Sequence, residues 1–131
     1  MGNREHVCMH EFPPLSELQF LIGKELGQVA LDPHSVQFRW SEGGQITVQH
    51  DFEHVDEEGR THVYGCTAHV GPPLLLHRLI QKKVLLVEVQ PLCLTLTFEG
   101  GQILRLRSEK GPWECGLIKL ADDLAGDYIV Y

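Results

Sequence analysis

Hydrophobic and polar positions alternate most regularly between Val84 and Arg107. Leu85, Val87 and Val89 alternate with Leu86 and Glu88; past Pro91, Leu94, Leu96 and Phe98 alternate with Thr95 and Thr97; past Gly100-Gly101, Leu104 and Leu106 alternate with Arg105 and Arg107. A period of two interrupted by turn residues predicts three antiparallel strands with one buried face. The same apolar rhythm stands 58 positions earlier, at Val29 and Leu31, then Val36, Phe38 and Trp40, then Ile46 and Val48. Each meander follows a stripe at helical spacing: Leu15, Leu18, Leu21 and Ile22 after Pro13-Pro14, and Leu75, Leu76, Leu79 and Ile80 after Pro72-Pro73. Proline suits a helix start, where the first N–H groups have no intrahelical acceptor, and Gly23 ends the first stripe.

One helix and three strands cannot hide their own apolar face, so two such units must share a core. The expected architecture is an α+β single domain over residues 1–131, with two helix-plus-three-strand repeats at about 13–54 and about 72–115. A pseudo-twofold axis would relate them, in one antiparallel sheet or a half-open barrel. Gly43-Gly44-Gln45-Ile46 matches Gly100-Gly101-Gln102-Ile103 only at an offset of 57, which predicts a bulge at the second turn. Phe38, Trp40 and Phe98 fall on inward positions, Arg39, Arg105 and Arg107 on outward ones. Asp51 to Glu58 reads as a solvated acidic segment, Ile118 to Asp123 as a helical turn and Asp127 to Tyr131 as a last strand. Exposed sheet edges make a homodimer plausible.

Composition narrows this picture. With 43% hydrophobic and 22% charged residues the chain reads as a soluble globular protein, and its apolar runs are too short to span a membrane. A formal charge of -7 argues against nucleic acid and anionic membrane surfaces and suits a basic protein partner. Met1 to His6 lacks the apolar core of a secretory signal, so the expected location is cytoplasmic. Cys8, Cys66, Cys93 and Cys115 show no CxxC pairing and read as buried thiols. No cofactor and no metal is expected.

Three constellations invite a chemical reading. His50-Asp51-Phe52-Glu53-His54 carries the letters of an H-x-x-E-H zinc motif, which works only where a helix sets the histidines one turn apart; here no helical stripe supports it. Cys66 between His62 and His69 can be drawn as a thiol beside a base, although a β-like run favours a small buried residue there. Glu53 and Glu114 follow Phe52 and Trp113 at matching places, so a cleft between the two units could be lined by Phe52, Glu53, Trp113 and Glu114. None of these demands one particular reaction.

At Leu21-Ile22-Gly23-Lys24, Gln37-Phe38, Phe52-Glu53-His54, Leu79-Ile80, Leu94, Leu96 and Trp113-Glu114, the chain resembles a group of small bacterial proteins defined only as a domain of unknown function. The resemblance implies the duplicated helix-meander fold and an immunity- or antitoxin-like role, and transfers no catalytic residue. Two functions follow as expectations. The first is a non-enzymatic binding protein that docks a basic protein on Asp51, Glu53, Asp56, Glu57 and Glu58. The second is a small-molecule binder or enzyme using the cleft between the units.

Overall fold

The computed structural model describes residues 11–66, 71, 73–108, 116–119 and 128–131. Among these, strand runs through β1 (Leu26–Asp32), β2 (Ser35–Trp40), β3 (Gln45–Val48), β4 (Asp51–Val55), β5 (Thr61–Gly65), β6 (Val84–Gln90), β7 (Cys93–Phe98), β8 (Ile103–Arg107), β9 (Gly116–Lys119) and β10 (Tyr128–Val130). Among the described residues helix is limited to α1 (Leu15–Leu18), continued by a 3-10 turn at Gln19–Leu21, and to 3-10 turns at Leu76–Leu79 and Glu99–Gly101.

The expected α+β class is therefore wrong: the described residues are 52% strand and 14% helical. The two apolar stripes are too short to repay helix nucleation. Both end abruptly, with Ile22 and Ile80 already extended at ψ 128° and 134°. Helix-plus-three-strand units are not the building blocks either, nor is there one continuous sheet or half-open barrel. Two separate five-stranded antiparallel sheets form instead, in the orders β1-β2-β3-β9-β10 and β5-β4-β8-β7-β6. The β4–β5 hairpin leaves β3 and extends the second sheet beside β8, while β9–β10 returns to extend the first beside β3. Each sheet is thus three consecutive strands of one half of the chain plus a hairpin from the other.

Strand registers agree closely between the sheets. β1 pairs β2 from Leu26↔Trp40 to Asp32↔Ser35 with a shift between Leu26 and Gln28, and β6 pairs β7 from Val84↔Phe98 to Gln90↔Cys93 with a shift between Val84 and Leu86. The irregularity expected at the second turn is absent there: Trp40 N–H donates to Gly44 O and Phe98 N–H to Gln102 O across turns of equal length. The bulges lie at the strand starts instead. Ile118 belongs to β9 rather than to a helical turn, and the last strand is present as Tyr128–Val130.

The sheets meet where Glu25 bridges Lys83. Leu26 N–H donates to Lys82 O and Val84 N–H to Lys24 O, both at 3.0 Å; Gly23 N–H donates to Val84 O at 2.8 Å and Gln81 N–H to Leu26 O at 2.7 Å. Gly23 and Gln81 reach these positions with φ of 86° and 72°. Between the sheets, Trp40 stacks on Phe98 at 6.3 Å and Phe38 meets Phe52 edge-on at 5.9 Å. Such pairs contribute about 0.5–1.5 kcal/mol beyond the area they bury. The inward placement expected of Phe38, Trp40 and Phe98 is what the structure has. Phe12 donates its N–H to Pro91 O at 2.9 Å and stacks on Tyr131 at 4.4 Å, tying the chain before α1 to the C-terminal residue.

Two glycines separate backbone strain from steric fit. A Cβ on Gly23 would meet nothing within 4 Å, so Gly23→Ala should lose only the left-handed backbone penalty, about 1 kcal/mol. A Cβ on Gly116 would run into Thr47 O and the Tyr131 ring, so Gly116→Ala should lose about 3 kcal/mol. Urea unfolding midpoints check the ranking; equal losses would contradict the packing of β9 on β3.

Candidate functional site

Strand alternation sorts the acidic segment. β4 is a strand and not the expected solvated loop, so Asp51, Glu53 and Val55 face outward while Phe52 and His54 are fully buried. Cross-strand pairing sets Glu53 opposite Arg105, which is opposite Thr95 and then Glu88; the next row holds Arg107, Cys93 and Gln90. Glu53 Oε1 accepts from Arg105 Nη1 at 3.4 Å, and Glu53 Oε2 accepts from Arg107 Nε at 3.1 Å and Nη2 at 2.5 Å. Those bonds to Glu53 raise the Arg107 pKa further and keep its guanidinium charged. An open groove of about 340 Å³ follows this face, lined by Glu88, Gln90, Cys93, Thr95, Arg105 and Arg107. Arg39 lies on the other sheet, where it donates to Gln28, Gln37 and Gln45, so the three outward arginines do not share one face.

Asp56 follows β4 and shapes the hairpin turn from within. Although acidic, it is only 2% exposed. Its Oδ1 accepts from the Glu58 N–H at 2.9 Å and the Arg60 N–H at 3.0 Å, and its Oδ2 lies 3.0 Å from His62 Nε2. The His62 bond first, then the backbone donors, hold its carboxyl down at about 2 against an ordinary 3.8. This carboxylate is spent on the turn and cannot touch a partner.

The remaining sequence candidates scatter. Asp51, Glu57 and Glu58 are exposed, with Glu57 4.0 Å from Arg78 and Glu58 3.5 Å from Arg60. Phe52 packs against Phe38 and Tyr64 inside the core, on the opposite side of β4 from Glu53, so these two do not line one cleft. Trp113 and Glu114 lie outside the described residues, as does His69. The zinc-motif letters fail on geometry: a strand sends Glu53 outward and His54 inward, away from one shared ion. Cys66 is fully buried, and burial first, then the Asp51 charge, push its thiol up to about 12, which removes it as a nucleophile. Sequence reasoning missed the Glu53–Arg105–Arg107 cluster. All three are outward by parity, but only the exchanged hairpin brings residues 52 and 54 positions apart into contact.

Compared with protein-family models, curated proteins and solved structures, the chain matches none. Among the described residues no helix is long and apolar enough to cross a membrane.

The Asp56 clamp has a defined pH signature. Because its folded pKa is depressed, its stabilisation is fully present above 3.8 and is lost as pH falls from there towards about 2. Asp56→Asn should lower stability at pH 6, and the gap to the natural protein should close progressively on acidification to pH 2. Urea melts across that range measure it; a constant gap would mean that the clamp is not the ionised carboxylate.

Proposed function

We propose that the chain is a non-enzymatic binding protein that engages a basic protein partner through carboxylates on the β4–β5 hairpin. The observation that carries this reading is the turn itself: Glu57 and Glu58 stand exposed on a backbone fixed from inside by Asp56. A preorganised loop loses little conformational entropy on docking, and its charges steer encounter. Asp51, at the far end of β4, adds a third exposed carboxylate, and the formal charge of -7 favours approach by cations. An immunity- or antitoxin-like role is the narrower form of the same reading. Glu53 and Asp56 act in it as supports. A homodimer would use an outermost strand, and β6 exposes Leu85 and Leu86 where β1 has Gly27 and Gln28.

A second reading rests on the outer face of the second sheet. There the groove over Thr95 and Cys93 would take a small molecule with an anionic group, met by the Arg105 and Arg107 donors that Glu53 leaves free. The Trp40–Phe98 and Phe38–Phe52 contacts occupy the interior between the sheets, which favours a ligand on the outer face over one between the halves.

Capture from a lysate of the native organism, at low and at high salt, distinguishes the two. A basic protein should be retained at low salt, released as salt rises, and lost with the triple change Asp51→Asn, Glu57→Gln, Glu58→Gln. Retention indifferent to both salt and neutralisation would remove the hairpin from the account.

A further inference from the structure

β4 alternation drives a histidine into the core, and its surroundings fix its proton. Gln102, fully buried in the β7–β8 turn, uses its amide Nε2 to donate to Arg78 O at 2.9 Å, so its Oε1 is left as an acceptor. His54 Nε2 lies 2.8 Å from that Oε1 and therefore donates to it. The ring must be the Nε2–H tautomer, with a bare lone pair at Nδ1. That atom is buried and has no partner among the described residues. His54–Gln102–Arg78 O is thus a chain of contacts joining the exchanged β4–β5 hairpin to the β7–β8 turn and the Leu76–Leu79 turn.

We propose that the His54–Gln102 contact is a proton-sensitive latch: acidification protonates His54 at Nδ1 and releases the β4–β5 hairpin from β8 while β1–β2 and β6–β7 remain paired. A proton on Nδ1 would create a buried cation whose new N–H finds no acceptor, and both faults vanish when the hairpin opens to water. Three charged or titratable groups face the ring. His62 from β5 (ring centroids 6.1 Å apart) and Arg78 from the Leu76–Leu79 turn disfavour the cation, whereas Asp56 from the hairpin turn favours it. Burial outweighs the rest, and the folded pKa lies below the ordinary 6.5. The open hairpin therefore takes up a proton first as pH falls through 6.5, and the closed form is disfavoured by up to about tenfold per pH unit until the folded pKa is reached. Since β5 is outermost in its sheet, release parts one strand pairing, β4–β8, together with the Phe38–Phe52 contact and the Glu53 bonds to Arg105 and Arg107. The latch needs no partner and stands independently of the binding reading.

Hydrogen-exchange protection factors of the full chain at pH 7.5 and 5.5, read residue by residue by NMR, test it. Protection at Phe52–Val55 and Thr61–Tyr64 should fall by up to about tenfold more than in β1–β2 or β6–β7. His54→Gln should abolish that difference and His62→Gln should retain it. Should His54→Gln not fold, nitrogen shifts of the natural protein decide: the closed-state ring must keep Nδ1 bare while protection falls below pH 6.5, since the proton is taken up by the open hairpin. A uniform fall in all strands, no fall, a fall persisting in His54→Gln, or a closed-state His54 ring already charged at pH 6.5 would each overturn the latch.

Discussion

Everything in this fold depends on a short antiparallel crossing in which residues 23–26 and 81–84 exchange backbone hydrogen bonds around the Glu25–Lys83 bridge. It is the backbone seam between the two sheets. The turns after β2 and β7 are tied to it as well, since Ser41 N–H donates to Glu25 O and Glu99 N–H to Lys83 O, both at 2.9 Å. Trp40 and Phe98 immediately precede those turns, so the seam aligns their rings for stacking. Unpaired donors here would be left in a partly dry environment, where each lost bond costs about 1–3 kcal/mol. The left-handed backbone at Gly23 and Gln81 is the conformational condition of the seam.

The six strands β1–β3 and β6–β8 were legible from alternation, which the burial of β2, β7 and β8 follows, whereas Leu31 on β1 and Leu85 on β6 belong to the apolar rhythm yet lie exposed. Helices were overread. Spacings of three and four residues among leucines also arise in a single 3-10 turn followed by extended chain, which is what Leu76–Leu79 and Ile80 adopt. β4 was hidden for a different reason: its outward acids and following turn acids suggested a solvated run, whereas Phe52 and His54 between them carry the inward half of the alternation. Which sheet a hairpin joins is not written in local pattern at all. The expectation of two self-contained units failed at that point.

The same ambiguity governs the site. Composition identifies an acidic stretch but cannot separate carboxylates that hold structure from those that meet solvent. Asp56 is spent on two backbone N–H groups and His62, Glu53 orients two arginines, and Asp51, Glu57 and Glu58 are left on the surface. Parity alone places Glu53 outward; its neighbours are set by the register of β4 on β8. His54 was legible only as one letter of a metal motif, because nothing near it in the chain announces Gln102, 48 residues away.

Exchange of the hairpins also orders events during synthesis. β4 and β5 leave the ribosome before β6–β8, the strands they join, exist, and the first sheet lacks two members until β9 and β10 are made. Neither sheet can be completed from the first half of the chain. Pairings of such long sequence separation slow folding, because loop closure precedes the contacts that reward it. Until β6–β8 and β9–β10 have been made, strands β1–β5 therefore lack the neighbours that cover their apolar faces.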